Sequence, residues 1–121
     1  MSDLIPIAAS LTSAAKNVYD IATDMISTRK QNRLITSAQI RRFKNAIDEA
    51  LERERQKARI EGVHALETSA RNMIIDSYKQ VESYGNSPIG IMLLETVRDE
   101  MRYLQGYVDD YDRNTKVGGL H

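Results

Sequence analysis

From Thr36 to Tyr84 the chain has no proline and one glycine, Gly62. A stretch of that length without a breaker constrains the fold to helix, and its ends are marked. Thr36 and Gln39 stand at the spacing of a capping box, and Ile35 and Ile40 at the two positions of a hydrophobic staple. At the far end Gly85 is suited to the left-handed conformation that closes a helix. Ser87-Pro88 then restarts the chain as N-cap and first helical residue. Run straight from 36 to 84, such a helix is about 70 Å long at 1.5 Å per residue.

The apolar stripe on this stretch changes face. Phe43, Ile47, Leu51 and Ala58 cluster in one direction, while Val63, Leu66, Ala70, Met73, Ile74, Val81 and Tyr84 cluster roughly 120° away on a helical wheel. The switch falls across the charged run from Glu52 to Glu61. A continuous or kinked helix would show its two halves to different neighbours, whereas a turn at Gly62 would let both halves face one core. No Ser, Thr, Asp or Asn stands at 62–65 to cap a new helix. The missing cap favours the continuous reading.

Helices flank the central stretch. The first is expected from about Leu4 to about Gln31, with Asp3 as N-cap and Pro6 in the first turn. Leu4, Leu11, Val18 and Met25 form one row of a seven-residue repeat, and Ile7, Ala14 and Ile21 the other. Ala8, Ala15 and Ala22 beside the seam admit a close neighbour. The last helix is expected from Pro88 to about Tyr111, on the stripe Ile89, Leu93, Val97, Met101, Leu104, Val108 and Tyr111. Gly106 within it hints at a close backbone approach. Both links are short, so each outer helix folds back antiparallel on one half of the centre.

The expected fold is an all-α helical bundle built on a long central helix. It forms one domain over 1–113, with a disordered tail at 114–121. With a continuous centre each half is only two helices thick, which leaves apolar surface bare and predicts a homodimer. With a turn at Gly62 the same helices close into a compact up-down-up-down bundle.

Composition narrows the function classes. The 121 residues carry 17 acidic and 17 basic side chains, and there is no Cys. Disulfides and thiolate metal sites are excluded, and a reducing, cytoplasmic setting is expected. The longest uncharged run, Leu4 to Ala15, is too short to span a bilayer, so no membrane partner is expected. Surface association through helix one is disfavoured because its polar face has few cations.

Three groups carry candidate chemistry. Arg29, Lys30, Arg33, Arg41, Arg42 and Lys44 lie in a run from Met25 to Ile47 that contains no acid. Cations beside a helix N-terminus are suited to phosphates, and the start of the central stretch can be read as a recognition helix. A solvated corner, or one balanced by the acids of the C-terminal half, is the simpler reading. Glu61, His64 and Glu67 share helical spacing, but one such motif is half of what a carboxylate metal bundle needs, so no metal or cofactor is expected. Tyr103, Tyr107 and Tyr111 recur every four residues, and with Tyr78 and Tyr84 nearby in the expected packing they offer a surface of apolar area and polar tips suited to protein contact. The Arg53–Glu61 segment reads as a solvated face laced by ion pairs. No nucleophile set and no glycine-rich phosphate loop can be placed.

A non-enzymatic protein-protein interaction module is therefore expected, an adaptor, chaperone-like or inhibitor protein that self-associates. The alternative is a helical nucleic-acid-binding regulator that uses the 29–44 segment.

Overall fold

The structure is a computed structural model that describes the backbone of residues 4–118 and the side chains of residues 9–106. Its elements are four helices, α1 (Leu4–Lys30), α2 (Ser37–Glu61), α3 (Thr68–Tyr84) and α4 (Gly90–Gly118), with no strand among the described residues. They pack as a bundle. α1 packs extensively against both α2 and α4, α3 packs on α4, and α2 and α3 touch least.

The seam of α1 explains its central place. Leu11, Ala15, Val18, Ala22 and Met25 are fully buried. Their spacing of three and four residues makes one stripe, and the two alanines let neighbouring backbones close in. Leu4, Ile7 and Ala8 lie outside the residues whose side chains are described, as does the expected cap Asp3. The helix ends on Asn32, which takes a positive φ of 58°. Its N–H donates to Arg29 O at 3.0 Å, and Arg33 N–H donates to Thr28 O at 3.0 Å. This bond pair is a Schellman closure with asparagine in the left-handed seat.

α2 begins as its sequence indicates. Gln39 N–H donates to Thr36 Oγ1 at 3.1 Å, and Thr36 N–H donates to Gln39 Oε1 at 2.9 Å. It does not continue to Tyr84. Gly62 adopts φ 77° and ψ 9°, and its N–H closes the helix on Ala58 O at 2.7 Å. The preferred continuous or kinked central helix is thus corrected to a turn through residues 62–67. Glycine reaches the left-handed region without the clash a Cβ would bring. The turn needs no N-cap side chain, since Glu67 at the cap of α3 makes no capping bond.

With the chain turned, the two rotated stripes face one core. Phe43, Ile47, Ala50 and Leu51 of α2 join Ile74, Tyr78 and Val81 of α3, together with Leu94, Val97, Met101 and Leu104 of α4. The dimer expectation began from a layer two helices thick, and that premise is replaced by a core that closes within one chain.

The α3–α4 link also departs from its sequence signals. Gly85 is right-handed, with φ −57° and ψ −31°. The Ser87 hydroxyl donates to Tyr84 O at 2.6 Å instead of capping α4, which starts two residues after Pro88. A Cβ at Gly90 would collide with the carbonyl of Gly85, so the close backbone approach lies here. At Gly106, where it was expected, a Cβ would meet open space. Asn86 ties this link to the α1–α2 link: Ile35 N–H donates to its Oδ1 at 2.7 Å, and its Nδ2 donates to Ile35 O at 3.2 Å. Both links therefore sit at one end of the bundle.

α4 runs to Gly118, into the stretch expected as a tail, and residues 119–121 lie outside the described residues. No described helix is long and apolar enough to cross a membrane.

Candidate functional site: the groove between α2 and α3

α1 occupies α2 on one side and α4 occupies α3, so the α2–α3 side stays open. The two helices meet through Phe43 and Tyr78, whose rings tilt at 55° with centroids 6.3 Å apart. On either side of that contact lie two adjoining depressions of about 420 and 390 Å³, both lined by Lys44 and Tyr78. The floor is apolar, formed by Ile40, Ile47, Leu51, Ile75 and Tyr78. Along α2 Ile40, Ile47 and Leu51 recur seven and four apart, which is what brings them to one face. From Ser37 to Arg55 the groove runs for roughly 27 Å along the helix axis.

Charges form the rim. Lys44 Nζ pairs with Asp48 at 3.0 Å, and Arg55 with Glu52 at 2.8 Å. The bond to Asp48 and its charge raise the Lys44 ammonium pKa above its usual range. Tyr78 donates to Glu82 at 3.2 Å. Burial, and then that carboxylate, push the Tyr78 phenol up, so it stays a neutral donor. Arg41 and Lys79 have no hydrogen bond or ion pair among the described residues, which leaves the rim with two uncommitted cations. A depression of about 500 Å³ over the α1–α2 contact, lined by Ser10, Asn17 and Asp20 of α1 and Glu49 of α2, offers no large apolar anchor.

The tyrosines singled out from sequence fall elsewhere. Tyr103 is 61% exposed, over a depression shared with Leu66 and Ala70 near the start of α3. Tyr84 is 55% exposed at the end of α3, roughly 20 Å away at 1.5 Å per residue. The structure therefore does not bring these two together. The side chains of Tyr107 and Tyr111 lie outside the described residues. The tyrosine that reaches the groove is Tyr78, expected from sequence as a neighbour of the tyrosine ladder and found instead between α2 and α3.

The basic block divides by role. Arg29 turns inward, with its Nη1 donating to Arg33 O at 2.9 Å and its Nε buried without a partner among the described residues. Lys44 belongs to the groove rim. Lys30, Arg33, Arg41 and Arg42 are exposed, and only Arg33 has a described side-chain partner, Gln31 at 2.6 Å.

The charged run of α2 is not uniformly solvated, which corrects its reading as a surface face. Glu54 is fully buried and Lys57 is 2% exposed. Glu54 accepts from the Arg71 guanidinium, lies 2.9 Å from His64 Nδ1, and accepts weakly from Leu66 N–H at 3.4 Å. Lys57 pairs with Glu61. Glu54 thus pins the 62–67 turn and the start of α3 to α2. The turn also breaks the helical spacing of Glu61, His64 and Glu67. No group of three or more metal-capable side chains forms among the described residues.

No protein-family model, curated protein or solved structure gives a significant match to the chain.

Proposed function

We propose that this chain is a non-enzymatic protein-binding module of the cytoplasm that receives an amphipathic helix of a partner protein in the α2–α3 groove. The observation that carries the reading is the groove itself, an apolar floor about 27 Å long between charged rims on the least packed side of the bundle. That length accommodates four to five turns of helix, and an apolar face laid into such a channel is a recurrent mode of recognition. The uncommitted Arg41 and Lys79 select for acids on the incoming helix where it leaves the floor. Tyr78, 8% exposed, lines both depressions and brings an aromatic edge with its Glu82-bound hydroxyl to the centre of the floor. An adaptor, chaperone-like or inhibitory role is compatible with such a groove.

The test is selection from a displayed library of amphipathic helical peptides, followed by mapping of backbone amide shifts on the labelled protein. Enriched peptides should carry apolar residues at i, i+3, i+4 and i+7 with flanking acids. Their shifts should fall on α2 from Ser37 to Arg55 and on α3 from Ile75 to Glu82. No enrichment, or shifts centred on Tyr103 or Tyr84, would defeat the reading. A second copy in the groove would instead give twice the chain mass on sizing, with the same groove shifts diminishing on dilution.

A further inference from the structure

The end of the bundle that carries the α1–α2 and α3–α4 links has a second character, and of its cations only Arg41 also lines the groove. Four large apolar side chains stand exposed there: Leu34 at 69%, Met92 at 59%, Tyr84 at 55% and Ile89 at 41%. Two lie in the links, one closes α3, and Met92 lies in the first turn of α4. The Asn86–Ile35 bonds hold the two links side by side, so these residues belong to one end.

The same end is cationic. The runs 25–47 and 83–94 contain no acid, while the chain as a whole is neutral. Lys30, Arg33, Arg41 and Arg42 are exposed around it. Two neighbouring acids, Asp24 and Glu82, accept hydrogen bonds from Gln39 at 3.3 Å and Tyr78 at 3.2 Å, and the four exposed cations outnumber them.

We infer that this end seats on an anionic lipid surface, with Leu34, Ile89, Met92 and Tyr84 entering the headgroup layer and Lys30, Arg33, Arg41 and Arg42 meeting lipid phosphates. Phosphates alone would be served by the cations, as on nucleic acid. The exposed apolar residues have no role on a phosphate backbone, but they fit the boundary between headgroup and acyl chain. Basic residues near an anionic leaflet contribute roughly fivefold each to binding, and the effect is screened within a Debye length. The contact is peripheral and uses the end of a folded bundle, not a helix lying flat.

The test is flotation of the full chain with vesicles of phosphatidylcholine and phosphatidylserine, beside vesicles of phosphatidylcholine alone and a duplex DNA. Binding should appear with the mixed vesicles and be absent from the neutral ones. Lys30→Ala with Arg33→Ala should weaken it roughly twenty-fivefold, at about fivefold per residue. Leu34→Ser with Met92→Ser should also weaken it, although the cations are untouched. All four positions are exposed, and an unchanged far-UV spectrum checks that each variant is folded. Arg55→Glu with Lys79→Glu, on the groove rim, should leave vesicle binding unchanged while abolishing peptide capture. Absence of binding to the mixed vesicles, equal binding to both vesicle types, or Leu34/Met92 variants that bind like wild type would overturn the inference. DNA binding unaffected by the apolar pair would assign the surface to nucleic acid.

Discussion

The Glu54–Arg71 pair should show a directional asymmetry when either partner is neutralised. Glu54 has no exposed surface, whereas the Arg71 side chain is 20% exposed. Glu54→Gln keeps the shape and an acceptor for Leu66 N–H but leaves Arg71 without its counter-charge. A partly exposed guanidinium recovers some hydration, so the cost falls below the ~3–5 kcal/mol typical of breaking a buried pair, at about 2 kcal/mol. Arg71→Gln takes the guanidinium from a carboxylate that water cannot reach, leaving it the contacts with His64 and Leu66 N–H, and its cost lies at the lower end of that range, at ~3 kcal/mol. For a chain of this size each kcal/mol shifts the melting temperature by about 4 °C. Urea unfolding followed by far-UV circular dichroism reads the difference, and the double variant closes the cycle with a coupling of roughly 2 kcal/mol. Equal effects within about 0.5 kcal/mol, or a larger loss for Glu54→Gln, would refute the assignment of Glu54 as the buried pin of the turn.

Gly106→Ala should stabilise the fold by about 0.5–1 kcal/mol in thermal denaturation, because the site is helical with open space around it. Gly90→Ala should do the reverse and lower the melting temperature by several degrees, because the new methyl meets the backbone of Gly85, which cannot step aside like a side chain. Asn86→Ala removes both bonds to the buried Ile35 backbone and should cost ~1–3 kcal/mol; hydrogen exchange should quicken first at the Ile35 amide.

Much of the fold was legible locally. Thr36 and Gln39 announced the start of α2 because both halves of a capping box lie within one turn. The stripes of α1 and α4 foretold Leu11, Val18, Met25, Leu93, Val97 and Met101 as core. The turn at Gly62 was harder to read because its support is tertiary. Glu54, twelve residues before Leu66, holds the turn from α2 without capping α3, and in sequence it is one charge among many in a run that resembles a solvated face. The Schellman closure on Asn32 has a local signal too, since asparagine is a recognised occupant of that seat. The Glu61–His64–Glu67 spacing held only while the helix was continuous. The groove could not be read from any one element, because it arises from how α1 and α4 take up the other faces of α2 and α3. Tyr78 reaches it from α3, whereas sequence groups it with the regular Tyr103–Tyr107–Tyr111 ladder, and Tyr103 lies over a different depression.

The α2–α3 groove depends on the chain turning at Gly62, and one distance decides whether it does. The chain has no Cys, so nitroxides placed at Arg55→Cys and Lys79→Cys are the only labels, and dilution with unlabelled chain isolates the distance within one molecule. Both positions line the same depression, and packed helices lie ~8–10 Å apart between axes, so pulsed dipolar spectroscopy should give a distribution centred below about 20 Å. A continuous helix would hold the two residues roughly 36 Å apart at 1.5 Å per residue. A distribution centred there would contradict the turn, and the groove with it.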